Sequence, residues 1–213
     1  MSRSDQRRRR ALRAAAPVAG LLAVGLLVWQ GSTAAFSATT DNGSENWATG
    51  SLTLTNDGGT GTYGVSTTAV FNEAALKIPT AVAVSKCVNV KAGGTTGGTL
   101  NFYRGAVSGT NSATLAPLIS LTIKAMPVTA TLPTVNTACT GFNAGTATTL
   151  ATGVALSALP TTYATGLGGT VVPVGTQYVT YQFTYTVTST GTNAGDNALQ
   201  SSNAAAVFSW EIQ

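Results

Sequence analysis

Between residues 176 and 190, TQYVTYQFTYTVTST, apolar and polar side chains alternate without a break: Val179, Tyr181, Phe183, Tyr185 and Val187 against Thr180, Gln182, Thr184, Thr186 and Thr188. A period of two is the mark of a strand with one buried and one wet face. Because the three aromatic rings fall on the valine side, the pattern assigns them to a core rather than to a sugar-stacking platform. Weaker versions of the same period recur. TGSLTLT (49–55) puts Leu52 and Leu54 on one face and ends at the turn sequence NDGGTG. TAVAVSKCVNVK (80–91) aligns Val82, Val84, Val88 and Val90, with Cys87 on the opposite face, and LNFYR (100–104) follows the turn GGTTGG as its expected hairpin partner. LISLTIKAM (118–126) sets Ile119, Leu121 and Ile123 against Ser120, Thr122 and Lys124, and Phe208, Trp210 and Ile212 form an apolar face near the end of the chain. Residues 127–175 are rich in Thr, Ala and Gly with little periodicity, which predicts loops and short strands around Cys139. No helical period persists after residue 36. Seven or more short strands bounded by Gly, Asn and Pro predict an all-β fold, an antiparallel β-sandwich of jelly-roll-like form.

The first residues obey another rule. MSRSDQRRRRALR holds six arginines and one aspartate, and AAAPVAGLLAVGLLVW behind it has no charge. A basic segment followed by an apolar run too short and too interrupted by Pro17, Gly20 and Gly25 to span a bilayer comfortably reads as a helical N-terminal signal peptide over residues 1–35. Thr33 and Ala35 supply the small side chains that a signal peptidase requires, for a cut between Ala35 and Phe36; cuts after Ala34 or Ala38 are the alternatives. The alternative is an uncleaved anchor with the same orientation, the arginines staying inside, and this leader is the only membrane contact the sequence suggests. The RRAL at Arg9–Leu12 leaves the twin-arginine route open beside the general one.

Removing the leader changes the charge balance. The full chain carries 11 Lys+Arg and 7 Asp+Glu, but six cations and one acid belong to residues 1–35, so residues 36–213 hold five cations against six acids. Lys77, Lys86, Lys91, Arg104 and Lys124 are scattered along the chain, which gives nucleic acid no clustered basic face. The 178 residues from Phe36 onward suffice for one sandwich domain, residues 36–213, with 36–47 as a flexible N-terminal segment. Two cysteines, Cys87 and Cys139, both follow the leader, and in an exported chain a disulfide is their expected state; two separate buried thiols are the alternative.

The chain is poor in reactive groups. It has no histidine, which removes His-based nucleophile activation and two-histidine zinc sites. Paired carboxylates remain the hydrolytic option, from Asp41, Glu45, Asp57, Glu73, Asp196 and Glu211, yet Asp57 and Asp196 sit in Gly/Asn-rich turns where the carboxylate more often shapes the turn. DNGSEN (41–46) lacks the alternating ligands of a calcium loop, and KAGGTTGG lacks the lysine of a phosphate loop. No metal ligand set, no cofactor site and no catalytic residue is expected, so the chain is read as a non-enzyme.

The start and end of the chain resemble one family. WQGSTAAFS, WATGSLTLT and DNALQSSNAAAVFSWEIQ look like the leader, mature start and closing aromatic strand of the TasA/camelysin proteins, over about a quarter of the sequence. The resemblance implies cleavage by a SipW-type signal peptidase and a secreted jelly-roll subunit of extracellular matrix or cell-surface fibres. It also implies that the chain's partner is itself, in a homopolymer. The freed N-terminus, with Phe36, Ala38 and Thr40 on one face, would act as a donor strand added to the next subunit. The metalloprotease activity described for camelysin-like members has no matching ligands in this sequence. A monomeric surface-binding or adhesion module is the alternative function, and a secreted carboxylate hydrolase is the third.

Overall fold

Two antiparallel sheets face each other across a core built from the alternating strands. The computed structural model describes residues 38–39, 51–65, 69, 71, 78–79 and 82–213, within the unit Ser37–Gln213. The expected signal peptide (1–35), the Ala35/Phe36 junction and Thr40–Asn46 lie outside the described residues. In chain order the strands are β1 (Ala38–Thr39), β2 (Leu52–Asn56), β3 (Val84–Gly94), β4 (Gly98–Arg104), β5 (Ile119–Ala125), β6 (Thr148–Ala155), β7 (Leu167–Val172), β8 (Gln177–Val187) and β9 (Phe208–Ile212). One sheet has the order β2-β3-β8-β5-β6 and the other β1-β9-β4-β7. All-β sandwich is therefore the observed class. Short helices at Ser112–Leu115 and Asn193–Ala198 interrupt the loops.

The period-two strand is the centre of the larger sheet. β8 is flanked by β3 and β5, with Tyr181 opposite Val88 on one side and Ala125 on the other, and Phe183 opposite Ile123. Val179, Tyr181, Phe183 and Val187 are 2 % exposed or less, so the face expected inside is inside. Across the sandwich, β4 and β9 send in Phe102, Phe208 and Trp210. The Phe102 ring lies 5.2 Å from Phe183 and 5.6 Å from Trp210, and Phe183 stacks on Phe208 at 5.0 Å. Rings of this size fill the roughly 10 Å between facing sheets with few voids.

The wet face of β8 is wet along only part of its length. Gln182, Thr184 and Thr186 are partly exposed, with Ser85 and Thr184 sharing a 2.7 Å hydrogen bond across the strands. Tyr178 and Thr180 on that same face are buried, because two loops distant in sequence lie over them.

Several expectations need correction. The hairpin partner expected for β3 is in the other sheet: β4 pairs with β7 and β9, while β3 pairs with β2 and β8. The GGTTGG turn crosses between sheets because its glycines allow close backbone approach. A Cβ on Gly97 would come within 2.6 Å of the Val172 carbonyl, and one on Gly98 within 2.6 Å of the Gln213 carbonyl. Val82 does not join the Val84–Val90 face; it precedes β3 and is 75 % exposed. Residues 193–198, read as part of a turn, form a helical turn and a half in which the Thr192 side chain accepts from the Gly195 N–H. In the weakly periodic 127–175 region, β6 and β7 are the outer strands of their sheets, with one edge open and few buried residues, Ala151 and Val172, to constrain the pattern.

Phe102 joins rings from both sheets and has no exposure. Phe102→Ala is expected to cost about 3–5 kcal/mol of stability. Urea denaturation followed by tryptophan fluorescence measures it, and a loss below about 1 kcal/mol would contradict the packing argument.

Candidate functional site

Where β2 ends, the backbone leaves the sheet through NDGGTG and folds over the outer face of β3. Asp57 there is 1 % exposed. Its Oδ1 accepts from the Gly59 N–H at 2.8 Å, which is the Asx-type turn the sequence suggested, and from the Asn89 N–H at 2.9 Å; Oδ2 accepts from Asn89 Nδ2 at 2.7 Å. Asn89, 2 % exposed, also donates to the Val135 carbonyl at 2.8 Å and accepts from the Thr180 hydroxyl at 2.7 Å. Every polar side-chain group of Asn89 is thereby used, and one residue ties the 57–60 turn, the 135 segment and β8 to the sheet.

The disulfide lies beside this network. Cys87 and Cys139 are bonded, with Cα atoms 5.1 Å apart. Cys87, two residues before Asn89, points to the same outer face, as its place in the alternation required, and its N–H donates to the Thr137 carbonyl at 3.0 Å. The Thr137 hydroxyl donates to the Gly59 carbonyl. Gly59, with φ of 77°, sits so close that a Cβ would lie 2.7 Å from the Cys87 carbonyl. The bond closes a sequence separation of 52 residues, a constraint on the unfolded chain of roughly 4 kcal/mol in the loop-entropy description.

Between the 57–63 turn and the 132–136 segment lies a cavity of about 280 Å³. Asp57 and Asn89 reach it, Tyr63, Leu132 and Pro133 supply apolar wall, and Asn136 stands among its lining residues. Tyr63 is edge-on to Tyr178 at 5.9 Å, and Lys91 Nζ lies 6.0 Å from its ring centre. Partial burial, and then the negative charges of Asp57 and Tyr178, push the Tyr63 phenol from 10.0 up to about 12.

The sandwich edge bearing β1 is the second region of interest. Ala38 is in register with Ile212, and Thr39 with Glu211. Of the expected donor strand, Ala38 is thus in β1, whereas Phe36 and Thr40 lie outside the described residues. Glu211 is 9 % exposed and accepts from the Tyr103 hydroxyl at 2.9 Å and from Gln213 Nε2 at 2.6 Å. Gln213 is paired on its other side with Thr99.

Of the carboxylates considered for hydrolysis, Asp57, Asp196 and Glu211 each accept hydrogen bonds from neighbouring groups, and Asp41, Glu45 and Glu73 lie outside the described residues. Asp196 accepts from the Ser189 and Thr190 hydroxyls and the Thr190 N–H, each at 2.7 Å, and those bonds, the Ser189 one foremost, hold its carboxyl below the usual range. Its partners are separate from those of Asp57. Among the described residues no group of three or more His, Cys, Asp or Glu could hold a metal, and no helix is long and apolar enough to cross a membrane. Asn89, Tyr63 and Thr180 were not singled out from the sequence. The alternation places Asn89 on the outer face, but nothing local indicates that residues 57–60 and 135 cover it. Compared with known families and curated proteins, the chain matches no family model and no curated protein.

Two outcomes follow from this geometry. Asn89→Ala would leave Asp57, Thr180 and the Val135 carbonyl each short of a partner in a buried place, and is expected to cost about 2–3 kcal/mol by urea denaturation; an effect within about 0.5 kcal/mol would show that the network carries little. Tyr63 gives a pH signature. Its folded value lies above its unfolded one, so its contribution is complete below pH 10 and is lost as pH rises toward about 12, the unfolded chain giving up its proton first. Ultraviolet titration is expected to show a phenol ionisation near 12 that is lost in Tyr63→Phe.

Proposed function

We propose that the protein is a secreted structural protein, a subunit of extracellular matrix or cell-surface fibres, assembled when its N-terminal segment is added as a strand to a neighbouring copy. In this reading the leader is removed between Ala35 and Phe36 by a SipW-type peptidase, and the sandwich is a jelly roll of the TasA/camelysin kind. The strand order supports the jelly-roll part: β1-β9-β4-β7 over β3-β8-β5-β6 is the arrangement of two intercalated Greek keys, with β2 added beside β3.

The pairing of β1 with β9 carries the assembly part. Among the described residues Ala38 and Thr39 form this ladder, at the border of the four-stranded sheet. A short terminal strand at a border costs little to release, and the same backbone hydrogen bonds can be made by the equivalent segment of another copy. The polar, glycine-containing composition of DNGSEN (41–46) suits the connection such an exchange needs. Before cleavage the segment is tied to the leader, so polymerisation is coupled to export. The cavity beside Asp57 favours a second reading, a monomeric surface-binding module.

Removal of residues 36–40 from the mature chain is expected to leave a folded monomer with the Cys87–Cys139 bond intact and to abolish filaments in negative-stain electron microscopy. Ordered filaments from the truncated chain would rule out strand donation, and an intact mature chain that stays monomeric in size-exclusion chromatography would rule out the fibre reading.

A further inference from the structure

Residues 138–146 make no hydrogen bond to either sheet. The Cys139 N–H donates to the Asn136 carbonyl, the Phe142 N–H to the Cys139 carbonyl, the Thr140 N–H to Asn136 Oδ1 and the Thr146 N–H to the Asn143 carbonyl, so the stretch bonds to itself. Its one large apolar side chain, Phe142, is half-buried and does not pack against the hydrophobic core. Between the Thr137 carbonyl, which accepts from the Cys87 N–H, and the start of β6 at Thr148, the Cys87–Cys139 bond is therefore the one covalent or hydrogen-bonded tie to the five-stranded sheet among the described residues. Cys139 is held there with φ of 63°, a left-handed conformation that costs a residue with a Cβ and persists only where its surroundings impose it. The two ends of the bond also differ in access. Cys87 is 1 % exposed, whereas Cys139 is half-buried on the loop.

We propose that the Cys87–Cys139 bond is a redox-sensitive latch: reduction by a dithiol frees residues 138–146 from the outer face of β3 and leaves the sandwich folded. A thiolate of the dithiol attacks Cys139 Sγ, on the more open of the two residues. The S–S bond breaks, and its electron pair leaves on Cys87 Sγ, which takes up a proton. The second thiol of the reductant then attacks the mixed disulfide and releases Cys139 as a thiol. The reductant ends as a disulfide, and two electrons and two protons have passed to the protein. The sandwich does not depend on the bond, because Tyr181 and Phe183 meet Phe102 and Trp210 on the inner face, opposite to Cys87. Asp57 and Asn89 keep their mutual hydrogen bonds, none of which involves the released stretch. The effect falls on the cavity instead. Its wall at residues 132–136 stays tied to Asn89 through the Val135 carbonyl but loses the covalent anchor that follows it, so the redox state governs how firmly that wall is held. The inference is independent of the fibre reading, because the latch lies on the five-stranded sheet and not on the β1 edge.

The test uses the purified, folded protein, with amide hydrogen exchange followed by NMR before reduction, after reduction with dithiothreitol in the absence of denaturant, and after reoxidation. The Cys139, Phe142 and Thr146 amides are expected to exchange at least about tenfold faster in the reduced protein and to return to their slow rates on reoxidation. The Phe102, Tyr181 and Trp210 amides and the near-ultraviolet circular dichroism of the aromatic rings are expected to stay unchanged. The thermal midpoint is not the readout, since reduction also frees the unfolded chain and lowers the midpoint whether or not the loop opens. Cys139→Ser, which cannot form the bond, is expected to show the reduced pattern with and without dithiothreitol. A bond that dithiothreitol leaves intact in the folded protein, or unchanged exchange at the three loop amides in both the reduced protein and Cys139→Ser, would overturn the latch. Loss of the near-ultraviolet signal on reduction, or faster exchange spread evenly over all strands, would overturn it in favour of a staple for the whole fold.

Discussion

The contact of aromatic rings across the two sheets is the constraint on which the rest of the protein depends. Tyr181 and Phe183 from the centre of one sheet meet Phe102, Phe208 and Trp210 from the other, and every strand register is compatible with that seam. A slip of one residue in β8 would send both of its rings outward and bring threonines in, so the alternation itself fixes the register. The seam tolerates one expensive group. The Tyr181 hydroxyl is fully buried without a hydrogen-bond partner among the described residues, a cost of about 1–3 kcal/mol that the surrounding ring packing offsets. Burial alone pushes that phenol far above its ordinary range.

With the inner face fixed in this way, the outer face is free to differ along its length. At one end, Ser85 and Thr184 meet in a partly exposed polar row. At the other, the Asp57–Asn89–Thr180 set and the disulfide hold two loops over β3 and β8. The two devices act on different states. Hydrogen bonds to buried Asn89 favour the folded arrangement by satisfying groups that water cannot reach, whereas the Cys87–Cys139 link mainly restricts the unfolded chain. Neither alone positions the cavity wall, since the 132–136 segment is tethered through Val135 on one side and through Thr137 and Cys139 on the other.

How much of this could be read from the sequence depends on whether a residue's environment is local. The inward face of β8, the Leu52/Leu54 face of β2 and the Phe208–Ile212 strand were legible because alternation is a property of neighbours in the chain. Cys87 on the face opposite Val88 and Val90 was legible for the same reason. The partner of β4 was not, because a glycine-rich turn can close a hairpin or cross a sandwich, and the choice is made by the Val172 and Gln213 backbones that approach Gly97 and Gly98. The site was the least legible part. Asn89 reads as the polar residue of a wet face, and its burial comes from a turn 32 residues earlier and a segment 46 residues later.

This separation of local from distant information also separates the β1 edge from the cavity beside Asp57. The β1 edge is made of backbone groups, so nearly any short extended segment can occupy it, and selectivity must come from the segment's tether and from the Glu211–Tyr103 surroundings. The cavity beside Asp57 is the opposite case: its wall is held by side-chain hydrogen bonds and a disulfide-tethered loop, not by a strand ladder. The two regions are on different sheets, β9 belonging to the four-stranded one and β3 to the five-stranded one. The hydrogen bonds of Asp57, Asn89 and Val135 therefore lie outside the β1–β9 ladder. The aromatic seam between the sheets keeps both regions in place.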